Sequence, residues 1–328
     1  ALKAELGELE ARLGILAATT DDLALTVPNP AHESVPDGGE DDYEVVATVG
    51  EPTEAPPLDH AEYGERMGWT DGERGARTSG SRFAYLRSHA VLLELALVHH
   101  TVHTLVDRGF EPVIPPVLVR EDMMVDAGFF PTDRNQVYEI TEDELFLVGT
   151  SEVPLAGLHR DERLDPDELP RRYAGISSCF RREAGTYGKD TRGIFRVHQF
   201  DKVEMFSFVE PEASPAEHDF LLEREEELVR GLGLPYRVVN VAAGDLGDSA
   251  AKKDDIEAWI PSQQAYREIT SCSNTTDFQA RRLKIRTRGE RGTEFVHTLN
   301  GTAIAVGRTI LAIMENHQRA DGTVAVPE

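Results

Sequence analysis

The sequence predicts an α+β fold, an antiparallel β-sheet with helices added to one side, rather than alternating β-α-β units. Three observations predict it. Segments rich in β-branched and aromatic residues cluster at 173–182, 194–209, 236–241, 257–260 and 265–271, which is strand composition. The first two flank residues 183–193, dense in Gly, Asp, Lys, Thr and Arg, and read as antiparallel neighbours joined by a long charged loop. Long helical patterns start at Ser88 and Ser214, beside the strands instead of one between every pair.

At 328 residues the chain holds one large domain plus a small appendage, with enough core to fold without staples. Its 40% apolar and 28% charged residues place it among ordinary soluble globular chains. No apolar run approaches a bilayer span, since 303–314 is broken by Gly307 and Arg308, so no membrane partner is expected. No signal peptide is evident, and without an initial Met the true beginning is expected to lie elsewhere. Cys179 and Cys272 lack CxxC partners, which predicts a reduced, cytoplasmic compartment and excludes a zinc site built on cysteines.

The net charge of −25 argues against a general nucleic-acid binder, because phosphate contacts need Lys and Arg. The charge is uneven. Residues 13–65 hold no Lys or Arg, while Arg281, Arg282, Lys284, Arg286, Arg288 and Arg291 crowd together. Any RNA contact is therefore local.

In chain order, Leu2, Leu6, Leu9, Leu13 and Leu16 recur at spacings of four and three, a seam that wants a partner helix. An amphipathic surface helix would leave the same pattern. Residues 26–57 form an acidic connector rich in Pro and Gly, with one short strand expected at 43–49 and helical pieces at 59–77. Ser79-Gly80-Ser81-Arg82-Phe83 is expected to open a strand. Ser88 should cap a long helix with Val91, Leu95, Val98, Val102 and Leu105 on one face and Gly109 just past its end. GFEPVIPPVLV follows as a short strand stopped by Pro115 and Pro116. A strand end at 146–148 leads through Gly149 into the loop Thr150-Ser151-Glu152. Ser214-Pro215-Ala216-Glu217 has the pattern of a capping box, and its helix should stop at Gly231 or Gly233.

On the 194–209 strand, Val197, Gln199, Asp201 and Val203 point one way, and His198, Phe200, Lys202 and Glu204 the other. A face carrying a ring, a cation and a carboxylate suits a site floor that stacks a flat ligand and fixes its polar ends. A solvent-exposed sheet face would read the same.

FRREAG (180–185), the loop, and RGIFRVHQFDKVEMF (192–206) resemble motif 2 of the class II aminoacyl-tRNA synthetases, in the form bacterial seryl-tRNA synthetases carry. TLNGTAIAVGRTILAIMENHQ (298–318) resembles their motif 3, and the helix and Pro-bearing strand at 88–119 their motif 1. YREITSCSNTTDFQARRLKIR (266–286) and LVGTSEVPL (147–155) resemble the ATP/metal and serine-loop segments. The similarity runs from about residue 28 onward. It implies a class II synthetase fold with a catalytic domain at 79–328 and an acidic connector at 21–78. Residues 1–20 would be the base of the N-terminal coiled-coil arm that grips tRNA, with most of that arm absent here. A homodimer through 88–119 is implied, with L-serine, ATP, Mg²⁺ and tRNA(Ser) as ligands.

The same resemblance assigns residues to roles. Arg181 would fork onto the α-phosphate and the attacking carboxylate together, which a lysine cannot do. Arg182, Glu183 and Val197 would contact ATP, with Glu183 on the adenine edge and Phe200 under the ring. Arg308 would clamp the γ-phosphate, and its place in an apolar stretch makes a bare structural role costly. Glu268, Ile269, Thr270 and Ser271 complete the ATP site, Glu268 and Ser271 as metal ligands. Thr270 stands where Ser is common. Serine would be held by Thr150, Ser151, Glu152, Arg181, Asn300 and two further residues, Glu204 at its ammonium and Thr302 at its hydroxyl. Many relatives carry Ala at the position of Ser151 and Ser at that of Thr302, so the pocket departs twice.

Adenylate formation needs positioning and electrostatics more than covalent help. Two other readings stay open on the sequence: a specialised paralogue that activates serine for a carrier protein, antibiotic biosynthesis or drug resistance, and a non-catalytic binding paralogue. Intact Arg181, Glu268 and Arg308 speak against the latter.

Overall fold

The computed structural model describes residues 2–185, 188, 190, 192–289 and 292–327, apart from the side chains of residues 21 and 22. Arg291 of the basic run and residues 186, 187, 189 and 191 of the charged loop lie outside the described residues.

Eight strands form the main sheet, in the order Glu44–Val49, Tyr236–Asn240, Lys252–Ile260, Ala265–Asn274, His297–Ala305, Gln199–Val209, Arg171–Phe180 and Glu111–Val113. Every neighbouring pair is antiparallel except the last, which is parallel. The predicted α+β class holds, and the connector supplies the edge strand Glu44–Val49. The strands at 252–260 and 265–274 are longer than their apolar stretches suggested, because polar residues such as Asp254 and Ser273 are buried within them.

The two sheet faces have different jobs. The helix Ser214–Gly231 covers one of them, burying Leu221, Leu228 and Val229, each worth roughly 1.5–3 kcal/mol of transfer energy. Thr270 and Cys272 point at this helix, toward Glu225 and His218. Gly301 lets it approach, since a Cβ there would lie 2.7 Å from Glu225 Oε1. The alternate residues on the neighbouring strands, including Thr302 opposite Glu204, therefore face the other side, where the site lies.

Several local expectations fail for identifiable reasons. The second motif strand starts at Gln199, not at 194; pairing ends at the Phe180–Gln199 register, and Ile194 and Phe195 are tucked into the core ahead of it. Ser88 does not cap its helix. It sits at φ 55, without a side-chain cap bond, and the helix runs His89–Asp107. The capping box at 214–217 is not made either: Ser214 is already helical, and Glu217 bonds Arg172 and Ser207 instead. At 79–83, the helix Gly72–Ser79 closes through Gly80 and only Tyr85–Leu86 is a strand.

The His89–Asp107 helix buries Ala90, Leu93, Leu97, Thr101 and Leu105. Val98 and Val102 are half-buried, whereas Val91 and Leu95 are exposed, Leu95 at 61%. The helix is apolar on two sides, and periodicity does not say which one its own chain covers. It is also the one helix among the described residues long and apolar enough, by length and composition, to cross a membrane, which the sequence reading missed. The N-terminal helix runs Leu2–Leu25, past the predicted seam, with Leu2, Leu6, Leu9, Leu13 and Leu16 all exposed. Cys179 and Cys272 are free and buried.

Candidate active site

Arg181 follows directly on the Arg171–Phe180 strand. Its N–H donates to His198 O at 2.9 Å and its Nε to Gly149 O at 3.1 Å, which aims the guanidinium across the Phe200 ring, 5.3 Å from the centroid. Arg308 enters from the first turn of the helix Val306–Asn316. Its Nη1 donates to Glu268 O at 2.9 Å, pairs with the Glu268 carboxylate at 3.2 Å, and its guanidinium lies 4.8 Å from the Phe195 ring. Arg181, Glu183, Val197, Phe200, Lys202, Glu268, Ile269, Thr302 and Arg308 line one cleft of about 60 Å³. Glu183 is held by Arg196 at 2.7 Å.

A wider cleft of about 330 Å³ shares Phe195, Glu268 and Arg308 with the first and adds Asp255 and Arg267. Asp255 lies opposite Ser271 across the strand pair. Its Oδ1 is buried without a hydrogen-bond partner. Burial first, then the neighbouring Glu268, pushes the Asp255 carboxyl up to about 7. Glu268 shifts the other way: desolvation in the cleft raises it, but Arg308, Arg181 and Lys253 outweigh that and hold it below its ordinary value. Two carboxylates and a hydroxyl with an oxygen left over are a donor set that fits a hard dication.

Beside the cleft, a three-stranded sheet of Leu118–Arg120, Leu145–Leu147 and Tyr138–Ile140 leads into Gly149 and Thr150, which meet the side chains of Arg181 and Lys202. Lys202 Nζ donates to Thr150 Oγ1 at 2.8 Å and Thr302 Oγ1 at 3.4 Å and pairs with Glu204. Glu152 is buried and accepts from Gln279 Nε2 at 2.7 Å. Burial first, then Glu204, pushes its carboxyl from the ordinary 4.5 to about 7.

A carboxyl raised in this way binds its proton more tightly folded than unfolded. Its stabilising contribution is full below the unfolded pKa and is lost as pH rises toward the folded one. Glu152→Gln removes that loss. Its stability relative to the parent should therefore rise between pH 5 and 8, by on the order of 3 kcal/mol. Thermal melts at both pH values check this, and an equal difference at each would refute it.

Not every residue singled out in the sequence reaches a cleft. Arg182 is exposed and lines neither, its N–H tied to Gln136 O at 2.8 Å. Thr270 turns its hydroxyl to Glu225 at 2.8 Å, on the helix-covered face, because a bulge shifts the register beside it. Asn300 is buried opposite Ser273 and lines neither cleft. Ser151 Oγ is buried without a partner. Sequence reasoning missed Phe195, Asp255 and Gln279. Phe195 sits within the motif and its ring lies 4.1 Å from the Arg267 guanidinium, but only the strand register reveals Asp255. Among the described residues no group of three or more His, Cys, Asp or Glu side chains could hold a metal.

An antiparallel sheet whose open face carries a motif arginine, a stacking ring, a carboxylate and a second arginine from the following helix defines a class II aminoacyl-tRNA synthetase core. Residues 136–317 match the family of the tRNA synthetase class II core domain (G, H, P, S and T). A serine–tRNA ligase of Nocardia farcinica is 54% identical over 99% of this chain and 78% of its own length. The seryl-tRNA synthetase of Pyrococcus horikoshii, solved with ATP, superposes with a TM-score of 0.94 at 44% identity, over 98% of this chain and 77% of that one. The cytoplasmic serine–tRNA ligase of Naegleria fowleri, solved with AMP, gives 0.90 at 37% identity, over 97% and 77%. The chain belongs to the seryl-tRNA synthetase family. Its activity is serine–tRNA ligation, with ATP as a substrate.

Proposed function

We propose that the two joined clefts assemble seryl-adenylate and pass serine to the 3′ end of tRNA(Ser). The observation that carries this is the convergence of Arg181, Phe200, Glu268 and Arg308 on one cleft beside the Glu204–Thr150–Thr302 pocket. A serine carboxylate oxygen attacks the α-phosphorus, the bond to the bridging oxygen breaks, and pyrophosphate leaves. The terminal ribose hydroxyl of tRNA then attacks the acyl carbon and AMP departs.

Arg181, free to fork onto the carboxylate and the α-phosphate, neutralises charge as they approach. Phe200 supports the adenine and Arg308 meets the distal phosphates. Glu204 pairs with the serine ammonium and Thr302 accepts or donates at its hydroxyl. Glu268 and Ser271 would hold Mg²⁺, and the unpartnered Asp255 oxygen beside Ser271 supports a cation there. Bound, the ion screens phosphate charge. Serine-dependent exchange of pyrophosphate into ATP, requiring Mg²⁺, tests this reading; its absence with serine would overturn it.

A second copy would dock on the exposed side of His89–Asp107, and the enzyme would work in the cytoplasm. The exposed helix Leu2–Leu25 is proposed as part of a tRNA-gripping arm. Activation uses only groups in the clefts, whereas on a chain of net charge −25 tRNA must be held through local cations such as the run of Arg281, Arg282, Lys284, Arg286 and Arg288, whose phosphate contacts salt weakens. Raising salt from about 50 to 200 mM should cut aminoacylation steeply, by 10-fold or more, with exchange changed little. Parallel salt titrations of the two reactions check this; equal slopes would refute it.

A further inference from the structure

We propose that Lys202 is a resident stand-in for the substrate's ammonium. Its Nζ fills the subsite that the serine amino group takes over, and on serine binding it turns to the serine carboxylate. The inference rests on the reading of this pocket as the serine site and names the device that makes it select amino acids over simple amines.

Lys202 is only 5% exposed, and a buried ammonium persists only when its three N–H donors are matched. Here they are matched by Thr150 Oγ1 at 2.8 Å, Thr302 Oγ1 at 3.4 Å and the Glu204 carboxylate. These are groups assigned above to holding serine, Glu204 at its ammonium and Thr302 at its hydroxyl. A primary ammonium is chemically the same group on the lysine and on the substrate, so one geometry serves both. Two such cations cannot share Glu204 at hydrogen-bond distance without strong repulsion in a buried site.

Incoming serine must therefore displace Nζ, and the displaced cation needs a new anion. Lys202 projects from the strand position opposite Ser177 into the cleft that Arg181 also lines. Its flexible four-carbon stem lets Nζ move without disturbing the strand. Serine brings the anion with it, in its carboxylate. An amine without a carboxylate must expel Lys202 and leave it buried and unpaired, which is heavily penalised. Lys202 thus couples recognition of the ammonium to presence of the carboxylate that reacts.

Ethanolamine, which has serine's ammonium and hydroxyl and no carboxylate, is the probe. Calorimetric titration of the intact protein with serine and with ethanolamine is compared for the parent, Lys202→Met and Lys202→Arg. In Lys202→Met, ethanolamine should bind at least about tenfold tighter and serine about tenfold weaker, each change being one charge-assisted contact. Lys202→Arg, which keeps a cation, should retain preference for serine. If the methionine variant unfolds, Lys202→Gln repeats the measurement. Both ligands weakening together, or neither changing, overturns the proposal and leaves Lys202 a structural cation. A parent protein that neither binds serine nor supports exchange with it instead overturns the reading of the pocket itself.

Discussion

Arg181→Ala should lower serine-dependent exchange of pyrophosphate into ATP by roughly 10²–10³-fold, the cost of one preorganised donor aimed at developing charge. The expectation follows from its placement. Nε is tied to Gly149 O at 3.1 Å, so the rest of the guanidinium is held over Phe200, between the proposed serine pocket and the proposed nucleotide floor. Arg181→Lys should not rescue the activity, since an ammonium cannot fork onto two anions in a plane. Neither variant should lose the fold, because the Arg181 side chain is exposed and its structural hydrogen bond to His198 comes from the backbone. Exchange kinetics beside a thermal melt decide the matter. An active and folded Arg181→Ala protein would remove the central support for this mechanism.

The second large effect is expected at the His89–Asp107 helix. Leu92 is 62% and Leu95 61% exposed, an apolar strip that a monomeric protein would leave in water. Leu92→Glu together with Leu95→Glu should convert the proposed dimer into a 36.3 kDa monomer, measured by light scattering at micromolar concentration. Activity should fall with it. Leu95 and Val91 line a cavity of about 490 Å³ that also touches Phe200, Asp201 and Gly307, so the exposed strip and the floor of the site share one wall. In that wall Glu94 is pushed up to about 7, by burial first and then by Asp201. A parent protein that is already monomeric under these conditions would refute the dimer.

Much of the candidate site could be read before the structure because the motif residues are close together in the chain. Arg181, Glu183, Val197, Phe200 and Glu204 come from one hairpin, and strand alternation alone places Phe200, Lys202 and Glu204 on one face. Thr270 and Asp255 could not be placed this way. A bulge after Ile256 shifts the register, so Thr270 turns to the covered face, and Asp255 reaches Ser271 from a different strand. The local capping rule misplaced Ser214 for a related reason: Glu217 has a better partner at long range in Arg172, at 2.7 Å, and a distant charge outweighs a local cap. Ser88 instead sits at φ 55 with no cap bond, its hydroxyl against the adjacent His89.

The sequence by itself determined the α+β class, the order of the motifs and the chemistry of the residues proposed to meet ATP and serine. Periodicity and side-chain chemistry are local properties, written along the chain. Only the tertiary structure decided which face of the His89–Asp107 helix its own core covers. The same holds for Asp255 joining the cleft and for Lys202 resting on Thr150, Thr302 and Glu204. Those outcomes depend on register and packing between strands far apart in sequence, where one residue of slip sends a side chain to the opposite face.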